Sequence, residues 1–264
     1  MSKQVIEVIY EDDDIFVINK PAGISVTGDR SGLASLPEIF LKQHGEAGQI
    51  RLVHRLDKFA SGVMIIARSK EAQSMFSSWF EKRLIKKTYL ALVRGFLKEN
   101  CGTIEARLGH AGRNSRLMRI DRKRGKAAIT HWRGLADFGG VCFLAVAPVT
   151  GRTHQIRVHL AGEGLPIVAD ALYGSSNGIM LSDFKSGFRR KKGAEERPLI
   201  DRLALHAYQL EVTGTENAET IRFVGRLDRK FAATLKMLTK HSPAGAPGFF
   251  DEDDLQAILS GQYL

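Results

Sequence analysis

Cysteine is nearly absent from this 264-residue chain: Cys101 and Cys142 are the whole complement, and they lie far apart. That excludes a disulfide framework, and without a CxxC pair there is no thiolate zinc site. Long apolar runs are also missing, so no segment is expected to cross a membrane. The opening MSKQVIEVIYEDDD lacks the charged-then-apolar order of a secretory leader, which leaves a cytoplasmic protein as the expectation. No internal repeat is visible. Acidic residues are in deficit, 29 Asp and Glu against 39 Lys and Arg, for a formal net charge of +10. Such an excess favours a polyanionic partner, most commonly nucleic acid.

With 44% hydrophobic residues, the chain can bury a sizeable core. Its cations are clustered: KRLIKK at 82–87, RNSRLMRIDRKRGK at 113–126 and RRKK at 189–192. One such run is usually a solvated loop. Three of them suggest a surface that tracks phosphates, and Arg122, Lys123 and Arg124 stand at the densest point.

Apolar, β-branched Val5–Tyr10 and Ile15–Asn19 flank Glu11-Asp12-Asp13-Asp14 and read as a hairpin. The aspartates there read as turn chemistry rather than metal ligands. Lys20-Pro21-Ala22-Gly23 breaks the second strand. Helical spacing predicts a short helix over Leu33–His44 and another after Ser69, with Ser69 as its cap, Ala72, Met75, Phe76, Trp79 and Phe80 at three-to-four spacing and the aromatics read as core. Strands are expected at Gly62–Ala67, Thr88–Val93, Thr103–Leu108, Ala127–Trp132, Cys142–Val149, Leu203–Val212 and Ile221–Gly225. Helices are expected at His154–Ala161 and Lys230–Thr239. Strands outnumber helices and run in series, which implies an α+β fold with a mixed, largely antiparallel sheet and flanking helices and loops. One principal domain over 1–240 is expected, followed by a C-terminal appendage, 241–264.

Polar chemistry concentrates in two segments. Val53-His54-Arg55-Leu56-Asp57-Lys58 delivers a carboxylate to the foot of a buried strand; the alternative is a surface ion-pair ladder. Gly151-Arg152-Thr153-His154-Gln155-Ile156-Arg157-Val158-His159-Leu160 puts Arg and His at a helix start suited to an anion, with His154 and Arg157 on one face. Its alternative is a solvated basic helix. His154 and His159 are five apart, which argues against a two-histidine metal site. Tyr89, in KKTYLALV, reads as a half-buried strand tyrosine.

Together and in this order, HRLDK with Ser61-Gly62 downstream, KKTYLALV, GRTHQIRVHL, ALYG and LALHA resemble the RluA-type pseudouridine synthase family, as does the opening VIYEDDDIFVINKPAGISV. The resemblance runs from about Val5 to Val212. It implies the pseudouridine synthase fold and an RNA isomerase that flips a uridine from its stack. It implies that Asp57 is the catalytic aspartate, Arg157 its basic partner, Tyr89 the active-site tyrosine and Arg55 the arginine that enters the vacated stack. Arg152 and His154 are expected to touch RNA alongside Arg122, Lys123 and Arg124. The chain departs from the family pattern at Ala60, where Thr is usual, and at Ala169, where Gly is usual. With the hairpin opening this sequence, no separate N-terminal RNA-binding domain of the kind that opens many relatives is expected. No cofactor and no metal are expected; the partner is ribosomal or transfer RNA, and the protein is a monomer. Two rivals remain: a non-catalytic RNA-binding module, which would tolerate loss of Asp57, and a metal-dependent nuclease built on Asp12–Asp14 with His154 or His159.

Overall fold

A computed structural model describes residues 5–28, 32–45, 49–112, 115, 117–185, 187–189, 193, 195–213 and 220–242, with 255, 257 and 259 in the tail. The appendage call, 241–264, thus lies mostly outside the described residues. Along the chain run β1 (Glu7–Glu11), β2 (Ile15–Lys20), α1 (Leu36–His44), β3 (Arg51–Leu52), β4 (Ser61–Ala67), α2 (Lys70–Glu81) and β5 (Ile85–Arg94). Then come β6 (Cys101–His110), β7 (Met118–Ile120), β8 (Lys126–Asp137), β9 (Val141–Pro148), α3 (Gln155–Gly162), β10 (Leu205–Val212), β11 (Ile221–Val224) and α4 (Arg229–His241). The chain forms two compact units, 1–89 with 205–226, and 90–204 with 227–264.

In the first unit the expected hairpin forms. β1 and β2 pair antiparallel, and Asp12 Oδ1 accepts from the backbone N–H groups of Asp14 and Ile15 at 2.9 and 2.8 Å. β2 pairs antiparallel with β4, placing Lys20 opposite Gly62, while β4 runs parallel to β10 through Ser61–His206 and Gly62–Ala207. β11 adds antiparallel to β10, and β3 to β4. All seven residues of β4 are buried, so apolar side chains cover both faces. One face packs with Leu36 and Phe40 of α1 and Phe76 of α2 in a core that includes Val17, Ile65 and Leu210. α1 starts three residues later than the spacing predicts, because Ser35 caps it: Glu38 Oε2 accepts from the Ser35 N–H at 2.6 Å and from its hydroxyl at 2.8 Å. Ser69 caps α2 as expected, accepting from the Ala72 N–H at 3.0 Å.

In the second unit β8 lies antiparallel to β6 and to β9, and β7 pairs with β6. β7 falls inside the basic run 113–126 and was not foreseen. Met118 turns inward from it and packs with Leu108, Ala128, Val158 and Tyr173. Asp228 caps α4 by accepting from Lys230 and Phe231 N–H groups. The outcome is the expected mixed, largely antiparallel α+β class.

Candidate active site

In the first unit the Asp57 loop is fixed to the Lys20 loop. The Lys20 side chain is fully buried, and its Nζ donates to the carbonyls of Pro21 at 3.0 Å, Ile24 at 3.0 Å and Lys58 at 3.2 Å. The Gly23 N–H donates to the same Lys58 carbonyl at 2.8 Å. A buried ammonium needs such acceptors, and here they lock the residue after Asp57. A hydrogen bond from the Ala60 N–H to the Asp57 carbonyl, 3.2 Å, closes a turn with Lys58 and Phe59 at its centre.

His54 sits one strand inward. Its Nε2 accepts from the Ile65 N–H at 3.0 Å, and its ring lies 4.3 Å from that of Phe80. Burial, helped by the charge of Lys87, drops its pKa to about 3. It is therefore a neutral structural acceptor, and the histidine of HRLD serves the loop's shape. Downstream, the Ser61 hydroxyl meets His206 Nδ1 at 2.9 Å, and His206 Nε2 donates to the Gly225 carbonyl at 2.7 Å. Gly62 has φ +119°, and a Cβ there would stand 2.1 Å from the Ala207 carbonyl oxygen. Motif residues Ser61, Gly62 and the His206 of LALHA thus let β4 and β10 approach directly behind the Asp57 turn.

The structure brings Asp57 and Tyr89 together. Burial raises the Tyr89 phenol well above its ordinary pKa, and the Asp57 carboxylate raises it further. Two residues back on the same face of β5, Lys87 falls to about 8 through burial and the nearby charge of Arg83. A half-buried carboxylate on a pinned turn, within electrostatic reach of a phenol held neutral, can attack or deprotonate a bound sugar while the ring stacks on a base. Arg55 is exposed on the same loop.

In the second unit the expectation of a helical His154 is corrected. His154 precedes α3 with a left-handed backbone, φ 53°, and does not share a helix face with Arg157. Its Nδ1 lies 2.7 Å from the Tyr173 hydroxyl, which accepts from the Met118 N–H at 2.9 Å. α3 is no solvated helix, since Gln155–Leu160 are all buried. Gln155 supplies its start, accepting from Thr150 Oγ1 and the Arg152 N–H and donating to Ile129 and Thr130. His159 bonds Thr130 Oγ1 at 2.9 Å, and burial drops it to about 4 against the opposing pull of the Ala106 backbone.

Arg157 is buried, and within its unit its carboxylate is Asp170. Nε and Nη2 donate to the two oxygens at 2.8 and 2.7 Å, and the guanidinium lies 5.0 Å from the Tyr173 ring centroid. Burial alone would push the Asp170 carboxyl up. Arg157 and the N–H groups of Leu172 and Tyr173 outweigh it and hold the carboxyl below its ordinary range. Sequence reasoning missed Asp170. The signal was the residue before it: Ala169 has φ 56°, which accounts for the glycine usual at that position.

Arg122, Lys123 and Arg124 are exposed on a turn that Asp121 holds through the Lys123 and Arg124 N–H groups, at 3.1 and 2.9 Å. Arg152 is exposed, with Nε 3.2 Å from the Ala127 carbonyl. Arg113, Arg116 and residues 190–192 of the predicted basic runs lie outside the described residues. Among the described residues, no group of three or more His, Cys, Asp or Glu is placed to hold a metal. No helix among them is long and apolar enough to cross a membrane.

Residues 14–162, which include Asp57, Tyr89 and Arg157, match the family described as RNA pseudouridylate synthase. The chain is 35% identical over 227 residues to ribosomal large subunit pseudouridine synthase D of Neisseria meningitidis serogroup B, covering 83% of this chain and 57% of that protein. It is 30% identical over 268 residues to the Borreliella burgdorferi protein of the same name, covering 98% and 73%. It is similar to the solved structure of human RNA pseudouridylate synthase domain containing 1, with 25% identity and a TM-score of 0.68, over 99% of this chain and 97% of that one.

Proposed function

The chain belongs to the RNA pseudouridylate synthase family, of the RluA type, and from that premise we propose that it isomerises uridine to pseudouridine in ribosomal RNA with Asp57 as its catalytic carboxylate. The observation that carries the reading is the Asp57 turn, pinned through Lys58 by Lys20 and Gly23, with the carboxylate near enough to the buried Tyr89 phenol to help raise its pKa.

The reaction breaks the C1′–N1 bond, turns the uracil and joins C1′ to C5. C5 loses a proton, N1 gains one, and no redox partner or group donor is needed. The uridine must first leave its stack, at a cost of a few kcal/mol. Arg55 occupies the gap, because its planar guanidinium can stack and donate at once. Asp57 acts at the sugar. Tyr89 stacks on the uracil; held neutral, it takes the C5 proton only as it yields its own to the nearby Asp57 carboxylate, so it works as a relay rather than a free base. Arg157 enters turnover with its plane set by Asp170. Arg152 and the 122–124 turn supply phosphate contacts. On this reading the RNA is ribosomal and the compartment cytoplasmic. Pseudouridine mapping of total RNA from cells with and without the gene tests it: one or more ribosomal sites should disappear on deletion and return with the gene. An unchanged map would refute it.

A further inference from the structure

Phe59 is apolar, large and 53% exposed, at the tip of the turn that carries Asp57. Its neighbours show that the ring is held outward. Leu56 and Ala60 on either side are buried, the Ala60 N–H closes the turn onto Asp57, and the carbonyl of Lys58 is fixed by both Lys20 Nζ and the Gly23 N–H. With both flanks anchored, the ring cannot fold into the core without breaking the turn. One cation accompanies it, Lys58 Nζ at 5.8 Å from the ring centroid, and Arg55 is exposed on the same loop. Consecutive Cα atoms stand about 3.8 Å apart, so Phe59 and Asp57 Cα atoms are within about 7 Å. That is about two nucleotide steps of roughly 3.4 Å.

We propose that Phe59 is a stacking platform for an unpaired base one or two nucleotides from the uridine held at Asp57, with Lys58 beside it for the backbone phosphate. The inference rests on the RNA-modifying reading above and adds a residue that grips the substrate strand. An aromatic face accepts any base, so the contact adds affinity without sequence choice. It also holds the strand open next to the extruded nucleotide. The competing occupant of an exposed ring is a second copy of the chain.

The test measures affinity for a single-stranded oligouridylate by fluorescence anisotropy, on the full chain. Phe59→Ala should weaken binding by about fivefold to a hundredfold, the span of base–aromatic stacking. Phe59→Tyr should restore it, whereas Phe59→Leu, apolar but without a π face, should not. In Phe59→Trp, the added emission should be quenched as oligouridylate binds, beyond any change in the Trp79 and Trp132 signal of the parent protein. Equal affinity in Phe59→Ala, or full rescue by Phe59→Leu, overturns the proposal. So does a Phe59→Ala variant that keeps its affinity but shifts from dimer to monomer in sedimentation. Failure of the enzyme reading is distinguishable: if the wild type makes no pseudouridine while Phe59→Ala still weakens oligouridylate binding and Phe59→Trp still shows the quench, the reaction is lost and the platform is kept.

Discussion

Replacing Gly62 with Ala should do more damage than any other added methyl group in the first unit, and the structure gives the size of the effect. A Cβ at Gly62 would meet the Ala207 carbonyl oxygen at 2.1 Å, its nitrogen at 2.5 Å and its carbonyl carbon at 2.7 Å, all backbone. β4 and β10 would have to part by about an ångström to restore ordinary contact. That opens the Ser61–His206 and Gly62–Ala207 pairings and breaks the buried Ser61–His206 hydrogen bond. Strain at φ +119° costs about 1–3 kcal/mol, and the orphaned buried groups cost about 1–3 kcal/mol more. The total should be about 2–6 kcal/mol. The control is Gly45→Ala in the same unit. Gly45 also has a positive φ, 65°, but nothing lies within 4 Å of its Cβ position, so it should lose only about 1 kcal/mol. Urea unfolding followed by circular dichroism compares the two. Equal losses would mean that the close approach of β4 to β10 is not as drawn, and the account of the Ser61-Gly62 motif would fall with it.

Tyr89→Phe should bind RNA near normally and turn over about 10²–10⁴ times more slowly, since it keeps the ring and loses the proton relay; single-turnover rates at saturating protein check this, and a near-normal rate would leave Tyr89 a packing residue. Asp170→Asn should cost about 3–5 kcal/mol at neutral pH by stranding the buried Arg157. Because the folded Asp170 pKa is depressed, its contribution is present above the unfolded value of about 3.9 and is lost as pH falls through the folded one. The gap between wild type and Asp170→Asn in denaturant titrations should therefore narrow below about pH 4, and a gap independent of pH would refute the pairing. Neutralising Arg122, Lys123 and Arg124 together should reduce the slope of log affinity against log salt by up to about 3, and an unchanged slope would show that this turn does not face RNA.

Periodicity made the scaffold legible. The all-apolar Gly62–Ala67 run, the three-to-four spacing after Ser69 and the Asp12 turn each rest on local chemistry and appear where expected. What stayed hidden depends on contacts far apart in sequence. Lys20 read as the residue before a strand-breaking proline, but its role is set by a carbonyl 38 positions away. Asp170 and His206 looked like ordinary polar residues because their partners, Arg157 and Ser61, come from other elements. The start of α3 was misread because the glutamine side chain of Gln155, rather than a Ser or Asp cap, organises it and leaves His154 left-handed outside. The HRLD loop was found by its motif, yet the split of labour within it, with His54 structural and Asp57 beside the phenol, required the fold.

The central claim is that Asp57 performs the chemistry. Forming pseudouridine expels the hydrogen on C5, so release of tritium from ribosomal RNA carrying 5-tritiated uridine reports turnover directly. Asp57→Asn keeps the side-chain shape and removes its charge. Tritium release should fall to background while urea midpoint and RNA affinity stay at wild-type values. Appreciable release by a stably folded Asp57→Asn protein would contradict the account.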